Sequence, residues 1–127
     1  MDVETIRKYC LSLPHVTEHI QWGENLVFKV GGKMFAVTNL GPAGNAISFK
    51  CSPEDFAELI EQDGIIPAPY LARAHWVALE SFSALRTREL EERVRMAHKS
   101  VYEKLPLKTK RQLEGKAKKF RSKSKAG

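Results

Sequence analysis

The stretch Leu26-Val27-Phe28-Lys29-Val30-Gly31-Gly32-Lys33-Met34-Phe35-Ala36-Val37 reads as a β-hairpin. Two runs rich in β-branched and aromatic residues flank a Gly-Gly pair. A two-residue hairpin turn needs positive φ, which glycine supplies without steric cost. The turn sets Val30 opposite Lys33, Phe28 opposite Phe35 and Leu26 opposite Val37. Opposed residues share a face. Leu26, Phe28, Phe35 and Val37 are therefore expected to line the core, with Val27, Lys29, Met34, Ala36 and Thr38 on the other face.

Outward from the hairpin, Gly41-Pro42-Ala43-Gly44-Asn45 reads as a turn into a third strand, Ala46 to Lys50, with Ile47 and Phe49 inward. Upstream, Asp2 is a candidate N-cap for a helix to about Ser12. Val3, Ile6, Cys10 and Leu13 form its apolar stripe, and Pro14 ends it. Residues 14–24 are expected to be a connecting loop closed by Trp22-Gly23. Downstream, Ser52-Pro53-Glu54-Asp55 is a helix start, with a side-chain cap, proline in the first turn and acids at the positive helix end. Phe56, Leu59 and Ile60 give that helix a buried face, and Gly64 stops it. Pro67 and Pro69 imply an irregular approach to a further strand, His75 to Glu80. A last helix is expected from Thr87 to Leu105, with Leu90, Val94, Ala97, Val101 and Leu105 as its stripe and Pro106 as its stop. His98 falls one position off that stripe, at its boundary. The order α-β-β-β-α-β(β)-α, with strands joined by short turns, predicts a two-layer α+β fold on an antiparallel sheet.

The 127 residues suit one domain and need no metal or disulfide to build a core. No apolar run approaches the ~20 residues of a membrane span. Met1-Asp2-Val3-Glu4 lacks the order of a signal peptide, so a cytoplasmic location is expected. Cys10 and Cys51 have no metal-ligand or disulfide-framework spacing and read as free thiols. Charge is divided unevenly. Residues 1–107 hold 12 Lys+Arg against 14 Asp+Glu, whereas residues 108–127 hold nine Lys+Arg against Glu114 alone. The expected organisation is a mildly acidic folded domain over 1–107 and a flexible basic arm over 108–127, extending the preceding helix by a turn or two.

Several segments together resemble the MmcQ/YjbR family. They are Leu13-Pro14-His15 leading to Trp22-Gly23, the hairpin from Phe28 to Ala36, Pro67-Ala68-Pro69-Tyr70, His75-Trp76-Val77, and Ser100-Val101-Tyr102 on a long helix. The resemblance covers about residues 1–107. It implies an α/β fold like that of CyaY or of small secretion chaperones, and DNA binding through a double-wing surface. His15 departs from the small residue usual after Leu-Pro in that family. The basic arm lies outside the shared region.

Candidate functional residues follow from chemistry. Lys29, Lys33 and Lys50 lie on or near the outer hairpin face, where a β-ribbon can touch phosphate. Lys108, Lys110, Arg111, Lys116, Lys118, Lys119 and Arg121 give the arm its attraction for polyanions. Trp76 is a candidate stacking platform, or else packs on the terminal helix or a loop; Tyr70 is open to the same two readings. The arginines and Lys99 of the last helix interleave with Glu89, Glu91 and Glu92, the pattern of a salt-bridged solvent face. His15-Val16-Thr17-Glu18-His19 fits a zinc peptidase pattern, but in a segment too short for the helix that pattern needs. Gly41-Pro42-Ala43-Gly44 matches a nucleotide-clamping GxxG but sits between strands. No nucleophile–base pair, phosphate loop or metal set emerges, so neither catalysis nor a cofactor is expected. The expectation is a small DNA-binding protein of weak sequence preference, monomeric or homodimeric. The alternative is a chaperone-like protein-interaction module whose partner the sequence does not identify. A positive wing face would favour the first reading and an exposed apolar groove the second.

Overall fold

The computed structural model describes residues 1–41 and 44–115. Helix α1 (Val3–Ser12) starts where Asp2 Oδ1 accepts a hydrogen bond from the Thr5 amide at 2.8 Å. Strands β1 (Val16–Gln21), β2 (Asn25–Val30), β3 (Lys33–Asn39) and β4 (Ile47–Lys50) follow. Helix α2 (Pro53–Leu59) is capped by Ser52, whose Oγ accepts from the Asp55 amide. Then come β5 (Ile65–Pro67), β6 (Trp76–Leu79), α3 (Thr87–Glu103) and α4 (residues 107–115). The strands form one sheet in the order β1-β2-β3-β4-β6-β5, and every pair is antiparallel.

One strand departs from the sequence reading, and the optional second strand after α2 takes a definite place. Residues 16–21 are not loop but the edge strand β1, paired with β2 from Val16↔Val30 to Gln21↔Asn25. Its helix-facing positions are Val16, Glu18 and Ile20, and Glu18 is matched by Arg7 of α1 through two hydrogen bonds of 2.8 and 2.6 Å. An ion pair in place of an apolar contact hid the strand's alternation. The irregular approach at Pro67 contains β5, a three-residue edge strand where a proline is tolerated.

The hairpin register also differs. Val30 faces Lys33 as the Gly-Gly turn dictates, but a β-bulge follows, and Phe28 pairs with Ala36 rather than Phe35. Phe35 and Ala36 both face the helices, two residues against one. Every later position is shifted by one. Thr38, not Val37, opposes Leu26 and is fully buried, its hydroxyl donating to the Ala46 carbonyl at 2.7 Å. Val37 lies on the opposite face.

One face of the sheet carries the main core. Phe28, Phe35, Ile47 and Phe49 pack against Ile6 and Cys10 of α1 and Leu90, Val94, Ala97 and Val101 of α3. His98 is also buried, more deeply than its boundary position implies, with Nε2–H donating to the Pro14 carbonyl at 2.8 Å. The second face is covered over β4, β5 and β6 by the chain at 68–71. There Ala68 and Leu71 pack on Trp76, Ala78, Met34 and Val37. The Ala68 amide donates to the Trp76 carbonyl, and the Trp76 amide to the Leu71 carbonyl. No helix among the described residues is long and apolar enough to cross a membrane.

Candidate functional site

The candidate cations separate into two groups. Lys33 pairs with Val30 and so shares the helix-side face of the sheet. Beside it, a Cβ on Gly31 would stand 2.5 Å from Leu105 Cδ1 and 3.2 Å from Thr109 Cγ2. A side chain here would force Leu105, just before α4, to move and would crowd Thr109 of α4. Leu113 of α4 is half-buried against the core, and Glu114 accepts a hydrogen bond from the Tyr102 hydroxyl at 3.1 Å. The first eight residues of the expected arm, 108–115, are therefore a helical segment seated on the domain. Lys108 and Arg111 are exposed, three residues apart on one side of α4. Lys110 is tied back: its Nζ donates to the Glu103 carbonyl at 2.7 Å and lies 5.8 Å from the Tyr102 ring centroid. Lys116, Lys118, Lys119 and Arg121 lie outside the described residues.

Lys29 and Lys50 belong to the opposite face. Lys29 pairs with Met34 and Lys50 with Trp76, and Lys50 Nζ donates to the Ala74 carbonyl at 3.1 Å. Between the β1–β2 turn, the Gly44-Asn45 segment and the chain at 68–71, this face opens into a groove of about 640 Å³. Met34, Val37, Ala68 and Leu71 give it an apolar floor, Asn25, Asn39, Asn45 and Ser48 contribute neutral polar groups, and none of the described residues that line it is charged. Asn39 Nδ2 donates to Asn25 Oδ1 at 3.3 Å, Asn25 Nδ2 to the Trp22 carbonyl at 3.1 Å, and the Gly41 amide to Asn39 Oδ1 at 2.8 Å. Trp22 and Tyr70 also line the groove. Trp22 is 65% exposed and Tyr70 fully exposed, and both hold positive φ, 49° and 66°. Bulky side chains rarely adopt that conformation.

Trp76, one of the two candidate stacking residues, is 3% exposed beneath Ala68 and Leu71, so its ring is not presented to a base. Alternation on β6 sends Val77 and Leu79 into the main core and Trp76 to the other side, against a loop. The exposed aromatics that sequence reasoning passed over are Trp22 and, in part, Tyr70. Their only signal was a large ring set beside Gly23 or Pro69.

Val16–His19 is strand and His15 is a turn residue with φ 62°, so no helix brings the two histidines onto one face. His15 stacks on Tyr102, and His19 Nε2 lies 3.0 Å from Thr17 Oγ1. No group of three or more potential ligands gathers among the described residues. Burial pushes the Cys10 thiol up to about 12 and the Cys51 thiol up to about 11, so both stay protonated at neutral pH and are poor nucleophiles. Along α3, Arg93 pairs with Asp55 at 3.2 Å and Arg95 bonds Glu92, a salt-bridged surface as the charge pattern implies.

The architecture is that of a single antiparallel sheet with helices on one face and a loop-walled groove on the other. The YjbR family model matches residues 11–100, and the chain belongs to that family. It is similar to a solved protein from Deinococcus radiodurans, DR2400, described as a DUF419 domain. Identity is 29%, the TM-score is 0.79, and the match covers 89% of this chain and 88% of that one. A solved protein from Pseudomonas syringae shares the fold at 19% identity and a TM-score of 0.64, over 78% of this chain and 97% of that one. Among curated proteins nothing matches.

Proposed function

We propose that this chain binds nucleic acid through its phosphates, at the Gly31-Gly32 end of the molecule and with little base preference. The observation that carries the reading is the seating of α4 against the turn, which brings exposed Lys108 and Arg111 to the end of the hairpin where Lys33 stands. The chain continues with Lys116, Lys118, Lys119 and Arg121, a run with no acid after Glu114. Phosphates attract such a cluster regardless of sequence. In this reading the chain is a binding protein, not an enzyme, and holds no cofactor.

The test is an anisotropy titration of a labelled DNA duplex at low salt with the full chain. The double variant Lys33→Glu/Arg111→Glu is compared with Arg88→Glu, a charge reversal at the far end of α3. The double variant should lose most of the affinity and Arg88→Glu little. Absence of duplex binding, or equal losses in both variants, would falsify the reading. A second reading, an interaction module for an apolar segment of a protein partner, is favoured by the open groove between Trp22 and Tyr70.

A further inference from the structure

We infer that the groove beside Trp22 and Tyr70 is a binding site for an unpaired nucleobase, so that the chain prefers single-stranded to duplex nucleic acid. This rests on the nucleic-acid reading above, but it concerns the other face of the sheet.

Volume, lining and charge each bear on the occupant. The groove of about 640 Å³ falls within the roughly 300–1,000 Å³ of small-molecule sites. Among the described residues its lining is apolar with neutral amides and carries no charge. A base is flat and uncharged, and its edge bears in-plane donors and acceptors. Asn side chains match such an edge with a donor and an acceptor in one plane. Trp22 and Tyr70 come from different connections, the β1–β2 turn and the chain after β5, yet line the same groove. Both are exposed, and both sit on left-handed backbone. Strained backbone of this kind concentrates at ligand clamps, and base–aromatic stacking accepts any base, because every base has a π-face.

Charge complementarity selects the nucleotide over an apolar peptide. Met34 lines the groove and packs near Trp76 in the same cluster. Lys29 is the cross-strand partner of Met34, and Lys50 that of Trp76, both on the groove face. The cations thus lie outside an uncharged floor, at its Met34 end. A base with phosphates on either side needs that division, whereas an apolar peptide has no use for the lysines. A base within a duplex is paired and stacked and cannot enter the groove.

The sequence holds two tryptophans, and Trp76 is shielded at 3% exposure, so a ligand in the groove reaches only Trp22. Trp emission of the full chain is therefore titrated with a single-stranded oligothymidylate and with the same strand in a duplex. Saturable quenching is expected with the single strand. Tyr70→Asn removes the ring but keeps a residue that accepts positive φ. It should weaken single-strand binding about tenfold, as loss of one base–aromatic stack does. It should leave duplex affinity unchanged, and Tyr70→Phe should behave as the native chain. Unchanged emission at saturating single strand, or equal single-strand affinity of Tyr70→Asn and native protein, overturns the inference. So does quenching by an apolar peptide where the oligonucleotide gives none, which assigns the groove to a protein partner. If Lys33→Glu/Arg111→Glu abolishes duplex binding while Tyr70→Asn changes nothing, the groove inference fails and the phosphate reading stands. If Tyr70→Asn alone weakens the single strand, the reverse holds.

Discussion

Phe35 and Ala36 face the same way, and that one irregularity decides which side chains the hairpin sends to each layer. The Gly-Gly turn made the first pair legible in the sequence, because turn geometry is local. The bulge was not legible, because an extra residue is chosen by how Phe35 fits beneath α3, where its ring meets the buried His98 edge-on at 5.2 Å. Phe28 is insensitive to the shift and fully buried. Phe28→Ala should cost roughly 3–5 kcal/mol in urea unfolding, as large buried aromatics do when truncated; a loss under about 0.5 kcal/mol would mean Phe28 is not core. His98 supplies a pH test. Burial holds its imidazole pKa below the ordinary value, opposed by the Pro14 hydrogen bond and aided by His15. Between the folded and unfolded values the unfolded chain binds more protons, so stability rises with pH. The contribution is complete above about 6.5 and is lost as pH falls through the folded value. His98→Gln keeps a donor for the Pro14 carbonyl without titrating, so its stability profile between about pH 5 and 7 should be flatter than that of the native protein. Equal slopes would show that His98 does not carry the dependence.

Elements with strong local signals were legible and those defined by tertiary partners were not. The Asp2 and Ser52 caps and the stripe Leu90, Val94, Ala97 and Val101 of α3 announce their helices without help, although α3 ends at Glu103, short of the expected Leu105. Strand β1 needs Arg7 to make sense of Glu18, and β5 is three residues long beside a proline. Helix α4 was hidden because its anchors, Thr109 and Leu113, bury against the turn and the core rather than against one another. The two turn glycines separate backbone strain from that docking. Both have positive φ, 59° at Gly31 and 80° at Gly32, but a Cβ on Gly32 meets nothing within 4 Å. Gly32→Ala should therefore cost about 1 kcal/mol of strain alone. Gly31→Ala should cost about 1–2 kcal/mol more, because Leu105 must shift and α4 with it. The difference should also appear as faster amide exchange across residues 107–115 in Gly31→Ala only. Equal destabilisation by the two substitutions would show that α4 does not rest on the turn.

At the scale of the molecule, the basic segment begins beside the hairpin turn of a mildly acidic domain, and that charge division sets how binding should respond to salt. Residues 1–107 carry two more acids than bases, so long-range attraction for DNA must come from the segment after them. Screening cuts such attraction off beyond about 10 Å at 0.1 M salt, so on the proposed phosphate reading affinity rests on local contacts by Lys33, Lys108, Arg111 and the cations that follow. The charge asymmetry was legible in the sequence. The splitting of Lys33 from Lys29 and Lys50 onto opposite faces was implicit in the Val30–Lys33 pairing and strand alternation, but grouping the three lysines as one outer surface passed over it. Each phosphate neutralised releases condensed counterion, and log K for duplex DNA falls with log salt by about 0.9 per contact. Nine cations cannot all engage, since Lys110 is tied to the Glu103 carbonyl and fixing long side chains against phosphate costs rotamer entropy. With roughly four to six contacts the slope should be about −4 to −5. Lys33→Glu/Arg111→Glu removes two contacts and should make the slope shallower by about 2. Lys29→Ala should leave the duplex slope unchanged, because that lysine lies on the groove face, away from α4. A native slope near zero would exclude phosphate contacts as the source of affinity, and a shallower duplex slope in Lys29→Ala would mean that duplex DNA spans both faces of the sheet.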